Sequence, residues 1–174
     1  GVINASRNFW KQTNAEAWIR RELLRAAGVA IDAGALAGTG ASGQPLGLVN
    51  TPGLSTQSGT SLLWDGVLAM KKNAAVSDIP DGSINFLSNP TTRALLEGRP
   101  RTTNGTNFIW ENDRIANCPA YATTLMPADT MLSGPLSGVT IGLWSDLEIE
   151  INPYDSTMFR YGGVQVRVYV AIDV

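Results

Sequence analysis

An apolar stripe running from Thr13 to Ala37 constrains this chain more than any other feature. Ile19, Leu23, Ala26, Ala27, Ala30 and Ala33 recur at three- and four-residue spacing and predict one long helix. Thr13 followed by Glu16 is a capping box, in which hydroxyl and carboxylate satisfy each other's orphan backbone N–H groups. Arg20, Arg21, Glu22 and Arg25 charge the first half, and only Asp32 follows, so the second half is expected to lie against protein. Gly38 is the expected stop, in the left-handed conformation. About 24 residues at 1.5 Å each make roughly 36 Å, long for a globular domain. A strut of that length within 174 residues predicts a flat or elongated body.

The rest of the chain alternates short elements. Gly38 to Gly59 reads as an ordered turn and loop, with a short strand expected over Leu46–Val49. A second helix is expected from Ser61 to Val76, with Leu63, Val67, Met70 and Ala74 on one face. Ile79-Pro80-Asp81-Gly82 turns the chain, and Ser83–Leu87 reads as a strand with Ile84 and Phe86 on one side. Asn89-Pro90 is a compact helix start, an N-cap followed by a proline whose missing N–H costs nothing there. Thr91–Glu97 is the helix and Gly98 its end; Asn104-Gly105 signals a hairpin, with strands near Arg114 and Tyr121 beyond it. In Asp146–Ile151 acids and aliphatics alternate at period two, Pro153-Tyr154-Asp155 turns, and Val164, Val166, Val168 and Val170 alternate again. Two long strands after helices and short strands predict a mixed α+β fold.

Composition excludes several classes of function. The chain has no histidine, which removes Ser-His-Asp, Cys-His and HExxH chemistry and most zinc sites. Its one cysteine, Cys118, excludes an internal disulfide and reads as a small buried residue. Lys plus Arg number 13 against 15 Asp plus Glu, and the adjacent basic pairs, Arg20-Arg21 and Lys71-Lys72, read as solvated helix faces rather than a phosphate grip. No apolar run approaches the roughly 20 residues of a membrane span, so the chain reads as soluble and intracellular. Only 16% of residues are charged, against roughly 25% in ordinary domains, which suits an interface-rich subunit and equally a small domain with a neutral surface.

Three patterns invite a chemical reading. Gly38-Thr39-Gly40-Ala41-Ser42-Gly43 matches GxGxxG, but a helix precedes it, a proline-containing loop follows, and no acid lies near the ribose position; these glycines are expected to turn the chain. Asp146, Glu148 and Glu150 form a carboxylate row that reads as the solvent face of an amphipathic strand. Trp10, Trp18, Trp64, Trp110 and Trp144 are spread out, as core or interface anchors rather than a stacking platform. No catalytic, cofactor-binding or metal-binding residue is therefore assigned, no cofactor is expected, and the chain is not expected to be an enzyme.

The residues also carry a resemblance. The long helix, Leu36-Ala37-Gly38-Thr39-Gly40, and Gln44-Pro45-Leu46-Gly47-Leu48-Val49-Asn50-Thr51-Pro52-Gly53 resemble a passage of tailed-bacteriophage major capsid proteins of the Hong Kong 97 type. Asn85 to Leu96 resembles their strand, Asn-Pro and short-helix segment. Cys118-Pro119-Ala120-Tyr121, Met126-Pro127 and Leu132-Ser133-Gly134 are similar to a further region, with Pro135 where the family often has Asp. Leu147 to Val174 resembles their paired long strands.

The resemblance implies a peripheral domain over residues 1–40 (the spine helix) and 143–174, and an axial domain over 41–142. It implies a structural subunit of a phage or prophage capsid, self-assembling into pentamers and hexamers that enclose packaged DNA. Its partners would be copies of itself, with portal, scaffold or prohead protease and decoration proteins as further candidates, DNA only non-specifically, and no membrane. The expected location is the virion capsid, assembled in the bacterial host cytoplasm. The family's N-terminal arm and extended loop have no counterpart in the 12 residues before Thr13, so the chain is expected to be a fragment that cannot close a shell alone. Family members that weld subunits through Lys–Asn bonds place the lysine on that loop, so no such role falls on Lys11, Lys71 or Lys72. Two alternatives stand beside this: an encapsulin-like nanocompartment shell, and a nucleotide-binding or enzyme domain built on Gly38–Gly43.

Overall fold

A computed structural model describes residues 1–6, 8, 15–59, 61–103 and 105–174. In chain order the first elements are β1 (Val2–Ser6), α1 (Ala15–Ala37), α2 (Trp64–Val76), β2 (Asn85–Ser88) and α3 (Pro90–Glu97). There follow β3 (Trp110–Glu111), β4 (Arg114–Ile115), β5 (Cys118–Ala122), β6 (Met131–Gly134) and β7 (Gly142–Leu143). The chain finishes with β8 (Glu148–Asn152), α4 (Ser156–Arg160), β9 (Gly163–Tyr169) and β10 (Ile172–Asp173). It divides into two compact units, one made of Gly1–Ala35 with Ile141–Val174 and the other of Leu36–Thr140.

In the first unit β9 is the central strand of an antiparallel sheet ordered β1-β9-β8. Val164, Val166 and Val168 point to one face by strand alternation, and they meet Ile19, Leu23 and Ala27, which α1 brings to one side by its own period. Ile3, Ala5, Leu147 and Ile149 complete this core. The opposite face is polar: Glu150 and Arg167, directly opposed in register, form an ion pair. The hydrogen bond to Glu150 holds the exposed Arg167 guanidinium above its ordinary pKa. β1 is a strand that sequence alternation does not announce, because Val2, Asn4 and Ser6 share one face without contrast.

The helix differs from expectation in its second half. Ala26 and Ala30 are exposed and Val29 is 50% exposed, so the stretch expected to lie against protein does so only around Ala27 and Ala35. The capping box at Thr13 lies outside the described residues. Pro153-Tyr154 turns the chain as expected, and before β9 the short helix α4 follows, whose cap is Asp155 accepting from the N–H groups of Thr157 and Met158.

The second unit is built on a five-stranded sheet ordered β3-β4-β5-β2-β6. β2 pairs parallel with β5 and antiparallel with β6, so Ile84, at its start, and Phe86 are fully enclosed. Their core includes Val67 and Ala74 of α2, Leu96 of α3, and Ile109, Trp110, Ile115 and Cys118. β3, β4 and β5 form a tight meander whose two-residue turns, Asn112-Asp113 and Ala116-Asn117, have positive φ, as mirror-image hairpin turns require. Asn104 lies outside the described residues; the Gly105 N–H donates to Thr102 O.

Helix α2 starts at Trp64 rather than Ser61, with Leu63 at its cap and Leu62, not Leu63, packed on the core. Its end is a Schellman motif: the Asp78 N–H donates to Ala75 O and the Ile79 N–H to Ala74 O. Asp78 there has φ +57, and it adds a negative charge just past the negative end of the helix. Asp78→Gly removes both penalties and is expected to raise stability by about 1 kcal/mol, read as a higher thermal midpoint.

Asn89 does two jobs at the start of α3. Its Oδ1 accepts from the Thr91 N–H at 3.0 Å, and its Nδ2 donates to Met126 O at 2.8 Å, tying the helix start to a segment 37 residues away. Asn89→Ala is expected to cost about 2–3 kcal/mol, roughly half from the cap and half from a carbonyl left unpaired. Asn89→Ser keeps a capping oxygen and loses only the tie, so its urea midpoint should fall between those of wild type and the alanine variant.

Candidate functional site

The glycine-rich passage after α1 folds into a clasp on the helix end. The last carbonyls of a helix have no partner within it. Here Asn50 Nδ2 donates to Gly38 O at 2.9 Å and to Ala37 O at 3.3 Å, and the Gly47 N–H donates to Gly38 O at 2.9 Å. Between these, the Gly40 N–H donates to Pro45 O at 3.0 Å and Thr39 bridges Leu46. The Thr51 hydroxyl closes the far side on Gly47 O at 3.2 Å.

The geometry corrects two expectations. The left-handed residues are Gly40, Ser42 and Gly43 rather than Gly38. Leu46–Val49 makes one bridge and then enters a 3-10 turn, Leu48–Asn50, instead of a strand. Gly47 comes so close to the helix that a side chain has no room there; a Cβ on it would lie 2.4 Å from Gly38 N and 2.7 Å from Ala37 N.

The same geometry decides the GxGxxG reading. A dinucleotide loop presents the positive end of a helix to pyrophosphate. Gly38–Gly43 follows a helix C-terminus, whose carbonyls repel an anion. The nucleotide-binding alternative is not favoured.

The carboxylate row is exposed, with Glu150 engaged by Arg167, and no group of metal-ligating side chains forms among the described residues. Trp110 is core, and Trp64 is half-buried under the Arg101 guanidinium at 4.7 Å. Arg101 is also paired with Glu111 at 3.4 Å, locking the start of α2 to the hairpin. Trp18 and Trp144 are largely exposed, and Trp10 lies outside the described residues. Arg93 bridges Glu97 and Asp113, at 2.7 and 3.0 Å, and the hydrogen bond to Glu97 raises its pKa above the usual value.

An open groove of about 1120 Å³ lies in the second unit between residues 49–62, α2, α3 and β6. Among the described residues its charged lining is Arg99 and Asp129, and the Arg99 guanidinium donates to Leu62 O. Among the described residues no hydrogen-bonded nucleophile–base pair faces it.

A family model described as "Phage capsid family" matches residues 1–174. The major capsid protein of Halomonas phage phiHAP-1 is 27% identical over 179 residues, covering 100% of this chain and 29% of that protein. The chain thus spans under a third of that curated relative. Among solved structures, the capsid of an empty GTA particle matches with a TM-score of 0.72 at 17% identity, over 100% of this chain and 66% of that one. The capsid of a native GTA particle matches with a TM-score of 0.69 at 17% identity, over 99% of this chain and 69% of that one. The expected α+β architecture of the Hong Kong 97 type is consistent with the fold of these capsid chains. The family match, running over every residue, places this chain in the phage capsid family.

Proposed function

We propose that this chain is a shell-forming part of a major capsid protein, whose copies tile into pentamers and hexamers around packaged DNA. The observation that carries the reading is the full-length family match, joined to a fold likeness with two capsid chains. Unit 36–140 corresponds, on this reading, to the axial domain, and residues 1–35 with 141–174 to the peripheral domain. Its role is structural rather than catalytic. A near-neutral balance of 13 basic and 15 acidic residues suits a wall that encloses DNA without gripping it. The location is the virion capsid, with assembly in the host cytoplasm; portal, scaffold or prohead protease, and decoration proteins are the further candidate partners on this reading.

Electron microscopy of the complete gene product, expressed with any scaffold it needs, tests the reading. Closed particles of uniform size are the expected result. Persistent monomers under those conditions would sink it.

A further inference from the structure

The first unit contains a ribbon with two unlike ends. β8 and β9 pair from Asn152↔Gln165 to Glu148↔Tyr169, and beyond an irregular step β7 and β10 continue to Gly142↔Asp173. The Trp144 N–H donating to Ala171 O bridges the two parts. Ten residue steps make the ribbon roughly 33 Å long. At one end the connection between β8 and β9 leaves Tyr154 and Tyr161 each 80% exposed, with Arg160 between them also exposed. At the other, Leu143, Trp144 and Tyr169 are 66%, 76% and 60% exposed, ringed by the exposed acids Asp146, Glu148 and Asp173. Residues 141–149 and 168–174 contain no Lys or Arg.

Aromatic side chains held in water on both ends of one element are the composition of interface cores, not of solvent-facing surface. The ends lie too far apart on a paired ribbon to cover each other within one chain. We propose that they are the two halves of one contact between copies, the Tyr154–Tyr161 end of one copy seated on the Trp144–Tyr169 end of the next. Charge selects this pairing over like-with-like. Two acid-ringed ends would bring Asp146, Glu148 and Asp173 against their own copies, whereas the head-to-tail arrangement sets Arg160 against them. Such a contact is heterologous, so it repeats from copy to copy and builds a ring or a closed lattice rather than a dimer. The inference rests on the shell-subunit reading.

The complete gene product carries the test. Tyr161→Cys and Trp144→Cys proteins are assembled together in equal amounts, then oxidised. Cys118 is 3% exposed and contributes little background. A disulfide-linked dimer is expected in the mixture and not in either protein alone. Arg160→Glu should lower the yield of particles roughly tenfold, and adding Asp146→Lys should restore most of it. A thermal melt unchanged by either substitution shows that folding is not what was lost. Particles that form normally without a mixed dimer, or with dimers only between like cysteines, overturn the contact and leave the shell reading standing. Wild-type protein that forms no particles overturns both.

Discussion

Gly47→Val should cost at least about 3 kcal/mol and move the urea midpoint of unit 36–140 further than any change within Gly38–Gly43. The reason is space rather than backbone freedom. Gly47 has φ −76, which any residue adopts, yet an added Cβ meets Gly38 N at 2.4 Å, Ala37 N at 2.7 Å and Leu36 C at 2.8 Å. All three are backbone atoms at the end of α1, and none can rotate away. The substitution must open the clasp, breaking the bond from the Gly47 N–H to Gly38 O and displacing Asn50 from the helix carbonyls. Gly43→Ala is the control. Its φ of +76 strains an alanine, but nothing lies within 4 Å of the new methyl, so the cost should stay near about 1 kcal/mol. If the two substitutions prove equally mild, the clasp is not packed as described.

Phe86→Ala is expected to remove about 3–5 kcal/mol, much of the stability of an ordinary domain. Phe86 is fully buried on β2, opposite Ala120 on one side and Ser133 on the other, and neither neighbour is large enough to fill the space it would leave. Trp110 belongs to the same core and is 2% exposed, so its fluorescence should shift to the red at lower denaturant in this variant. Phe86→Leu, which keeps most of the volume, should cost under about 1.5 kcal/mol. An alanine variant as stable as the leucine variant would show that the core collapses around the site.

Local chemistry was legible wherever one residue decides one conformation. Asn89-Pro90 starts a helix in the structure as its hydrogen-bonding groups require, and the valines of β9 alternate into a core. Elements went unread where the signal lies in a partner. β1 is a strand because β9 offers it a ladder, and α4 forms because the Asp155 carboxylate can reach two N–H groups. Ala26 and Ala30 fit the apolar stripe of α1, but an alanine commits a helix to no particular side, so the stripe overstated the buried face.

By itself the sequence determined a mixed α+β chain with a long helix, no histidine chemistry and glycines at a helix end, because composition and period act within a few residues. Tertiary structure alone decided which glycine is indispensable. The match to GxGxxG drew attention to Gly38–Gly43, where backbone freedom is at stake. Gly47 lies outside that pattern, and its constraint exists only once the chain has folded back to within van der Waals contact of α1. Proximity between segments distant along the chain leaves no mark in local periodicity, which is why the clasp had to be seen in three dimensions.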